Sequence, residues 1–74
     1  MAKHKGDIEI GRRAFEEVYR IFQNYEKAAR AFGCSKRLFY EWNNGDTPGG
    51  HYLAMLHYFG GDVLYVLTGK RHKI

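Results

Sequence analysis

The sequence predicts an all-α protein in which five short helices form one compact domain. Apolar residues recur three or four positions apart along most of the chain, and no stretch alternates for long with the period of a β-strand. The 74 residues include a single proline, and 45% of them are apolar. This apolar fraction is sufficient for a hydrophobic core, and a chain of this length forms one domain.

The first two helices are predicted from one apolar face and from the residues that interrupt it. Asp7 is expected to cap the first helix. The apolar face of this helix carries Phe15, Val18, Tyr19 and Phe22. Asn24 interrupts the pattern and is a favoured cap for a second helix over residues 25–32. Gly33 then ends the second helix.

The last two helices are predicted from the turn residues that precede them. Residues 43–46 have the composition of a turn. Thr47 and Pro48 are expected to be the cap and the first residue of a fourth helix. That helix ends at two glycines, and its inner face carries Leu53, Leu56 and Phe59. Asp62 is expected to cap a fifth helix over residues 63–67.

A specific pattern joins the second helix to the third. Ala29 is small where two crossing helices approach most closely, and Gly33, four residues later, tolerates the positive φ of a tight turn. Cys34 is a small apolar residue that can pack under the turn. Two apolar anchors then follow the glycine at six and nine residues, Phe39 and Trp42. This pattern is typical of a helix-turn-helix, and the alternative is an ordinary αα-corner in a small bundle.

The third helix is predicted over residues 36–43, with Ser35 as its favoured N-cap. A recognition helix contacts base edges in the major groove chiefly through residues near its N-terminus. The candidate base-reading residues are Lys36, Arg37, Tyr40 and Glu41. The candidate phosphate contacts are Tyr25, Lys27, Arg30, Ser35 and Asn44. A solvated helix face is an equal alternative for each cation alone, and the clustering of these cations favours contact with DNA.

The excess of positive charge is moderate, and it is concentrated at the two ends of the chain. Twelve Lys and Arg residues oppose eight Asp and Glu residues, which gives a net charge of +4. Lys3 and Lys5 define a basic N-terminal arm over residues 1–6, and residues 70–74 form a basic tail. Both ends are suited to lie along a polyanion such as DNA. The alternative is that these terminal lysines only keep a small protein soluble.

Residues 25–45, YEKAARAFGCSKRLFYEWNNG, resemble the helix-turn-helix of phage repressor and Cro proteins, the lambda-repressor-like or XRE class. Residues 51–71, HYLAMLHYFGGDVLYVLTGKR, are similar to a stretch that often follows this motif in phage-type regulators. In those regulators a helix ends in Leu-Gly-Ala-Asp, and a short helix follows that reads roughly V-x-Y-[IV]-L-T-G-x-R. The second stretch is the more specific of the two.

The resemblance implies a five-helix domain, residues 7–69, that binds operator DNA, usually as a homodimer on a near-palindrome. It assigns base contacts to Lys36, Arg37 and Glu41, and phosphate-side positions to Tyr25 and Asn44. This sequence departs from many relatives in having tyrosine where they have glutamine at position 25, and in having the bulky Trp42. The resemblance implies either a short Cro-like regulator or the N-terminal domain of a longer repressor.

Other kinds of site receive little support from the sequence. A single cysteine, Cys34, cannot form an intrachain disulfide or a cysteine-based zinc site, and it favours a reducing compartment. His51 and His57 are six residues apart, so they lie on opposite sides of a helix. We therefore expect no metal, no cofactor, no small-molecule substrate and no enzymatic activity. With no apolar run long enough for a membrane span, we expect a location in the bacterial cytoplasm, at the nucleoid.

The predicted fifth helix offers a candidate dimer surface: Val63, Leu64, Tyr65 and Val66. The same residues can instead close the core of the monomer, and the sequence does not separate these alternatives. A rival function also exists, because helix-turn-helix folds serve as protein-interaction modules such as antirepressors or adaptors. That function predicts only non-specific affinity for DNA and an exposed apolar patch for a protein partner.

Overall fold

The computed structural model describes residues 5–71, and it describes side chains from residue 9 onwards. Between residues 5 and 71 the chain forms helices and no strands, which confirms the all-α prediction. The five helices are α1 (Lys5–Phe22), α2 (Tyr25–Phe32), α3 (Lys36–Asn43), α4 (Gly50–Tyr58) and α5 (Val63–Thr68). Lys3 of the expected arm and Lys73 of the expected tail lie outside the described residues.

Two predicted helix starts are wrong. The chain is already helical at Lys5, the first described residue, so Asp7 lies inside the helix and is not its cap. The expected N-terminal arm, residues 1–6, therefore overlaps the helix by two residues. Helix α4 begins at Gly50 with Gly49 in the capping position, and not at Thr47 and Pro48. Pro48 is buried in the loop, so the chain packs there before it becomes helical.

Four other local signals are confirmed. The Asn24 side chain accepts a hydrogen bond from the Lys27 N–H at 2.9 Å, which caps α2. Gly33 has the left-handed conformation, with φ of 70°, that ends this helix. The Asp62 carboxylate caps α5 by accepting from the Tyr65 N–H at 2.9 Å. Gly69 ends α5 in a second left-handed turn, one residue later than predicted.

The core lies where α1 meets the faces of α2, α3 and α5 that point inwards. Its buried apolar residues are Ala14, Val18, Ala28, Ala29, Phe32, Phe39, Trp42, Leu56 and Val66. The predicted anchors of the pair α2 and α3 are thus confirmed. Tyr19, which was expected on the apolar face of α1, is instead 51% exposed.

Helices α1 and α3 approach each other closely at Gly11. This glycine is buried on α1. A Cβ atom there would collide with the backbone carbonyl oxygens of Trp42, in the last turn of α3, and of Asp46, in the loop after α3. Because backbone cannot yield as a flexible side chain can, the crossing requires glycine at this position.

Helix α5 is attached to α1 through a buried carboxylate. Glu17 is fully buried, and its oxygens accept hydrogen bonds from the Arg20 guanidinium at 2.7 Å and from the Arg71 guanidinium at 2.7 Å. They also accept from the backbone N–H of Asp62 at 2.9 Å. Arg71 further pairs with the Asp62 carboxylate at 3.3 Å. We call these four residues the Glu17 cluster.

The hydrogen bonds of the Glu17 cluster keep the carboxylate ionised. Burial raises the pKa of Glu17, but the bonds from Arg20, Arg71 and the Asp62 backbone outweigh burial and lower the pKa to about 2. A buried carboxylate needs such partners, because an unpaired charge in the interior is costly. The Glu17 cluster therefore fixes the start of α5 and the chain that follows α5 against α1.

Further polar contacts reinforce the attachment of α5 to α1. The Arg13 Nε–H donates to the Val66 carbonyl at 2.8 Å, and the Tyr65 hydroxyl donates to Glu16 at 3.0 Å. The Arg71 guanidinium lies 4.0 Å from the centre of the Tyr65 ring. Helix α5 has one buried residue, Val66, so the polar contacts with charged residues of α1 do more than apolar packing to position this helix.

We predict that Gly11→Ala lowers the free energy of unfolding by about 1–3 kcal/mol, because the added methyl group overpacks the crossing of α1 and α3. Gly50→Ala is the matched control, since nothing lies within 4 Å of a Cβ atom at Gly50. The control should be neutral or stabilising by about 0.5 kcal/mol. Urea unfolding followed by circular dichroism measures both. Equal stabilities of the two variants would contradict the close approach.

We also predict that stability falls steeply in acid because of Glu17. Its pKa is about 2 in the folded chain and 4.5 ordinarily. The stabilisation is therefore fully present above pH 4.5 and is lost as the pH falls towards 2, by about 3 kcal/mol in total. Carbon-detected NMR of the glutamate carboxyl groups reports the titration directly.

The matched control is Glu26→Gln, which removes an exposed carboxylate and should retain the acid dependence. Glu17→Gln should be destabilised at neutral pH and should lose most of the dependence between pH 4.5 and 2. A Glu17 carboxyl group that titrates at or above pH 4 would contradict the described cluster.

Candidate nucleic-acid interface

Helix α3 presents a polar, cationic face opposite its buried one. Phe39 and Trp42 are buried against the core. Of the predicted base-reading residues, Lys36, Arg37 and Tyr40 are exposed, and Glu41 is half-exposed. The Arg37 side chain is 84% exposed, which makes it one of the most accessible groups on this face. The structure therefore brings the four predicted residues together on one helix face.

The turn before α3 fixes where that face begins. The Cys34 N–H donates to the Ala29 carbonyl at 3.0 Å, and the Gly33 N–H donates to the Arg30 carbonyl at 3.4 Å. These bonds satisfy carbonyl groups that the end of α2 would otherwise leave free. Cys34 is half-buried under the turn, and burial raises the pKa of its thiol. The first turn of α3 is consequently held at a defined angle to α2.

Ser35 stands at the N-cap position of α3 without acting as a side-chain cap. Its backbone is extended, with φ of −89° and ψ of 153°, as a cap requires, but its side chain makes no capping hydrogen bond. The residue is exposed. Its hydroxyl is therefore not committed to the helix end, and it lies beside Lys36 at the start of the cationic face.

Arg37 and Glu41 form an ion pair along the exposed face of α3. The Arg37 Nε and a Glu41 carboxylate oxygen are 3.5 Å apart, and both side chains are substantially exposed. A solvent-exposed pair of this kind contributes less than about 1 kcal/mol to stability. The pair is weak enough to be exchanged for contacts with a ligand.

Tyr25, a predicted phosphate contact, is held by contacts with α1. Its hydroxyl donates to the Phe15 carbonyl at 3.2 Å, and its ring stacks on the Phe15 ring with centres 4.6 Å apart. Burial, with smaller contributions from Tyr40 and Tyr19, raises the pKa of Tyr25 to about 12. The hydroxyl hydrogen is thus engaged within the protein, and a phosphate contact from this hydroxyl would require the bond to Phe15 to be exchanged. Through its ring, Tyr25 packs against Phe15 of α1 and Tyr40 of α3.

Tyr40 is oriented by this aromatic support. Its ring lies 5.5 Å from the ring of Phe15 and 5.5 Å from the ring of Tyr25, tilted by 52° in both cases. Such tilted contacts are favourable and restrict the rotamers of a side chain that is otherwise exposed. The Tyr40 hydroxyl is therefore carried on a fixed ring at the outer edge of α3.

The remaining predicted phosphate contacts are exposed on the segments before and after α3. Lys27 and Arg30 are exposed and one turn apart on α2, and Asn44 is exposed directly after α3. The described part of the predicted basic tail divides into two roles. Lys70 is exposed, whereas Arg71 is bound within the Glu17 cluster.

The predicted dimer surface on α5 needs correction. Val66 is fully buried and belongs to the core of the monomer, and Val63 and Tyr65 are half-buried. Leu64 is 55% exposed. Leu67 is also exposed, three residues further along the same helix, and it was missed. The spacing of three residues between Leu64 and Leu67 is the signal in the sequence that would have identified these two leucines as one exposed apolar stripe on α5.

Sequence reasoning missed two residues that position α3 and α5. Gly11 lies inside α1. Because glycine is unfavourable in the interior of a helix, its presence there indicates a close approach of another backbone. Glu17 lies beside Val18 near the inner face of α1, which a charged residue rarely occupies without a partner. Its partners Asp62 and Arg71 are far away in the sequence, so no local pattern identifies them.

The described helices show neither a cluster of metal ligands nor a membrane span. Within the described part of the chain, no three His, Cys, Asp or Glu side chains converge as a metal site would require. His51 packs edge-on against the Tyr52 ring at 5.2 Å. His4 and His72 lie outside the described residues. None of the helices between residues 5 and 71 has the length and apolar character needed to cross a lipid bilayer.

Comparisons with known proteins do not identify the chain. No protein-family model matches it, and no curated protein or solved structure matches it. The function proposed below is accordingly supported by the residues and geometry of α1, α2 and α3.

Proposed function

We propose that this protein is a sequence-specific regulator of transcription that binds double-stranded DNA and inserts α3 into the major groove. One observation carries the proposal. Helix α3 is fixed from behind by the buried Phe39 and Trp42, while its opposite face exposes Lys36, Arg37 and Tyr40. A short helix with a rigid inner side and a cationic outer side is suited to reading base edges.

The dimensions of α3 suit the groove. Its eight residues span about 12 Å, which is close to the width of the major groove of B-DNA. Lys36 and Arg37 lie in its first turn and can donate to the O6 and N7 atoms of guanine. Glu41, once released from Arg37, can accept a hydrogen bond from N4 of cytosine.

Contacts with the phosphate backbone of the DNA would supply most of the binding affinity. Lys27 and Arg30 lie on the exposed side of α2, Ser35 precedes α3, and Asn44 follows α3. These exposed groups precede and follow the helix that would enter the groove, and we propose that they bind phosphates beside it. We propose that they set the position of the protein on the duplex, while α3 reads the sequence.

We further propose that two copies bind two half-sites of a near-palindrome about one turn of DNA apart. Leu64 and Leu67 are the exposed apolar residues of α5, and they replace the buried Val66 as the candidate contact across the twofold axis. Occupation of such an operator would block or recruit polymerase, as in the phage or prophage repressor and Cro-like proteins that the sequence resembles.

A second candidate function is a protein-interaction module. It is favoured by the apolar groups that α4 and α5 expose, which are Tyr58 at 82%, Leu64 and Leu67. Such groups are also found on surfaces that dock protein partners. Under this alternative the affinity for DNA is weak and non-specific, and it disappears as salt increases.

The proposal is tested by selection from a pool of random duplex DNA at about 150 mM salt, where purely electrostatic binding is weakened. We expect recovery of a near-palindrome with half-sites about 10 base pairs apart. Recovery of one short unpaired site would retain the DNA function and contradict the dimer. No enrichment of any sequence would contradict specific regulation and favour the protein-interaction module.

Two double variants with the same change of charge separate base reading from phosphate binding. Lys36→Ala with Arg37→Ala should reduce discrimination between the selected site and random DNA by about 10-fold or more, since each lost base contact removes about 1–3 kcal/mol of discrimination. Lys27→Ala with Arg30→Ala should weaken binding to both DNAs about equally. Quantitative gel-shift titrations measure the ratios, and equal discrimination by the two variants would contradict base reading by α3.

A further inference from the structure

We infer that the DNA interface extends beyond α2 and α3 onto one edge of α1, where Arg12 and Tyr19 bind phosphates of the DNA backbone. The inference rests on the proposed function, and it assigns a part of the binding surface that no helix-turn-helix residue provides. It follows from the position of these two side chains relative to α3 and from their lack of hydrogen-bond and ion-pair partners among the described residues.

Arg12, Phe15 and Tyr19 lie on one edge of α1. Their spacing of three and four residues places them above one another on a helix. Arg12 and Tyr19 are exposed, and Phe15 between them is half-buried. Phe15 is therefore the point at which this edge contacts the rest of the fold.

The aromatic contacts of Phe15 orient this edge towards the outer side of α3. The Phe15 ring lies 5.5 Å from the ring of Tyr40, a candidate base-reading residue, and is stacked on Tyr25. The Tyr19 ring lies 5.4 Å from the ring of Tyr25. Tyr19 thus stands near the start of α2, on the same side of the molecule as the exposed face of α3.

Arg12 lies at the other end of the same edge. Its neighbour Gly11 packs against the carbonyl oxygens of Trp42 and Asp46, so Arg12 is level with the C-terminal end of α3. Seven residues of helix separate Arg12 from Tyr19, a rise of about 10 Å. The two side chains therefore flank Tyr40 and would meet different phosphates of the backbone beside α3.

Both groups are free to bind. Among the described residues, neither the Arg12 guanidinium nor the Tyr19 hydroxyl has a hydrogen-bond or ion-pair partner, and Tyr19 is 51% exposed. This contrasts with Tyr25, whose hydroxyl is engaged by Phe15. Arginine and tyrosine are both donors that proteins use to bind DNA phosphates.

Two acidic side chains of α1, Glu16 and Glu17, are engaged in contacts with α5. Glu16 accepts the hydroxyl hydrogen of Tyr65, and Glu17 is buried in the Glu17 cluster, so both carboxylates face α5. Arg12 and Tyr19 are exposed beside them. An approaching phosphate would meet a cation and a hydroxyl group there, while the Glu17 carboxylate is fully paired in its cluster and Glu16 is bonded to Tyr65.

The test uses the full chain and the duplex recovered by selection. Phosphate-ethylation interference maps the phosphates needed by the wild-type protein, by Arg12→Gln and by Tyr19→Phe. Arg12→Lys is the control that retains the charge. Tyr58→Phe is the control that removes a hydroxyl from an exposed tyrosine on α4. Gel-shift titrations at several salt concentrations accompany the mapping, and circular dichroism checks that each variant is folded.

We expect each of the two variants to lose interference at one phosphate beside the groove that α3 enters. Arg12→Gln should weaken binding to specific and random duplexes alike and reduce the salt dependence by the equivalent of about one phosphate. Tyr19→Phe should weaken binding by about two- to tenfold, the effect of one lost hydrogen bond. Arg12→Lys should keep the salt dependence, and Tyr58→Phe should bind as the wild type does.

Unchanged interference and affinity in Arg12→Gln and Tyr19→Phe, with specific binding by the wild type, would overturn the α1 edge while the proposed function stands. Failure of the wild-type protein to select any duplex would overturn both.

Discussion

The close contact between α1 and the C-terminal end of α3 determines how the proposed DNA-binding surface is presented. At Gly11 the backbone of α1 comes so near to Trp42 of α3 and to Asp46 in the following loop that a methyl group would collide with their carbonyl oxygens. One turn further along α1, Ala14 is fully buried, and Phe39 and Trp42 bury the inner face of α3 beside it. Because this inner face is rigid, the outer face of α3 is rigid too, which is what preorganised recognition of a duplex requires.

Helix α1 carries two different interfaces on its two sides. On one side Phe15 and Tyr19 contact Tyr25 and Tyr40 through their rings. On the other side Arg13, Glu16 and Glu17 attach α5 through polar bonds. These two kinds of contact, aromatic on one side and polar on the other, suit the size of the protein. A chain of this length buries few large apolar groups, so it gains stability from buried polar groups that are fully paired. The same helix thereby links the candidate DNA face to the exposed leucines of α5.

Local features of the fold could be predicted from the sequence, and distant ones could not. The caps at Asn24 and Asp62 and the turn at Gly33 depend on residues within four positions, so short patterns found them. Thr47 and Pro48 also looked like a helix start, but burial of Pro48 outweighed that local preference. Two of the three partners of Glu17 lie 45 and 54 residues away, and the engagement of the Tyr25 hydroxyl by Phe15 likewise depends on how α1 packs against α2.

The central claim is that the outer face of α3 is the surface that binds DNA. The most direct measurement is an NMR titration of the isotopically labelled protein with the selected duplex at about 150 mM salt, following every backbone amide. We expect the largest shifts in residues 35–44, with smaller shifts at the start of α2 and along the edge of α1 that carries Arg12 and Tyr19. Shifts concentrated in α4 and α5, with α3 unaffected, would contradict the claim.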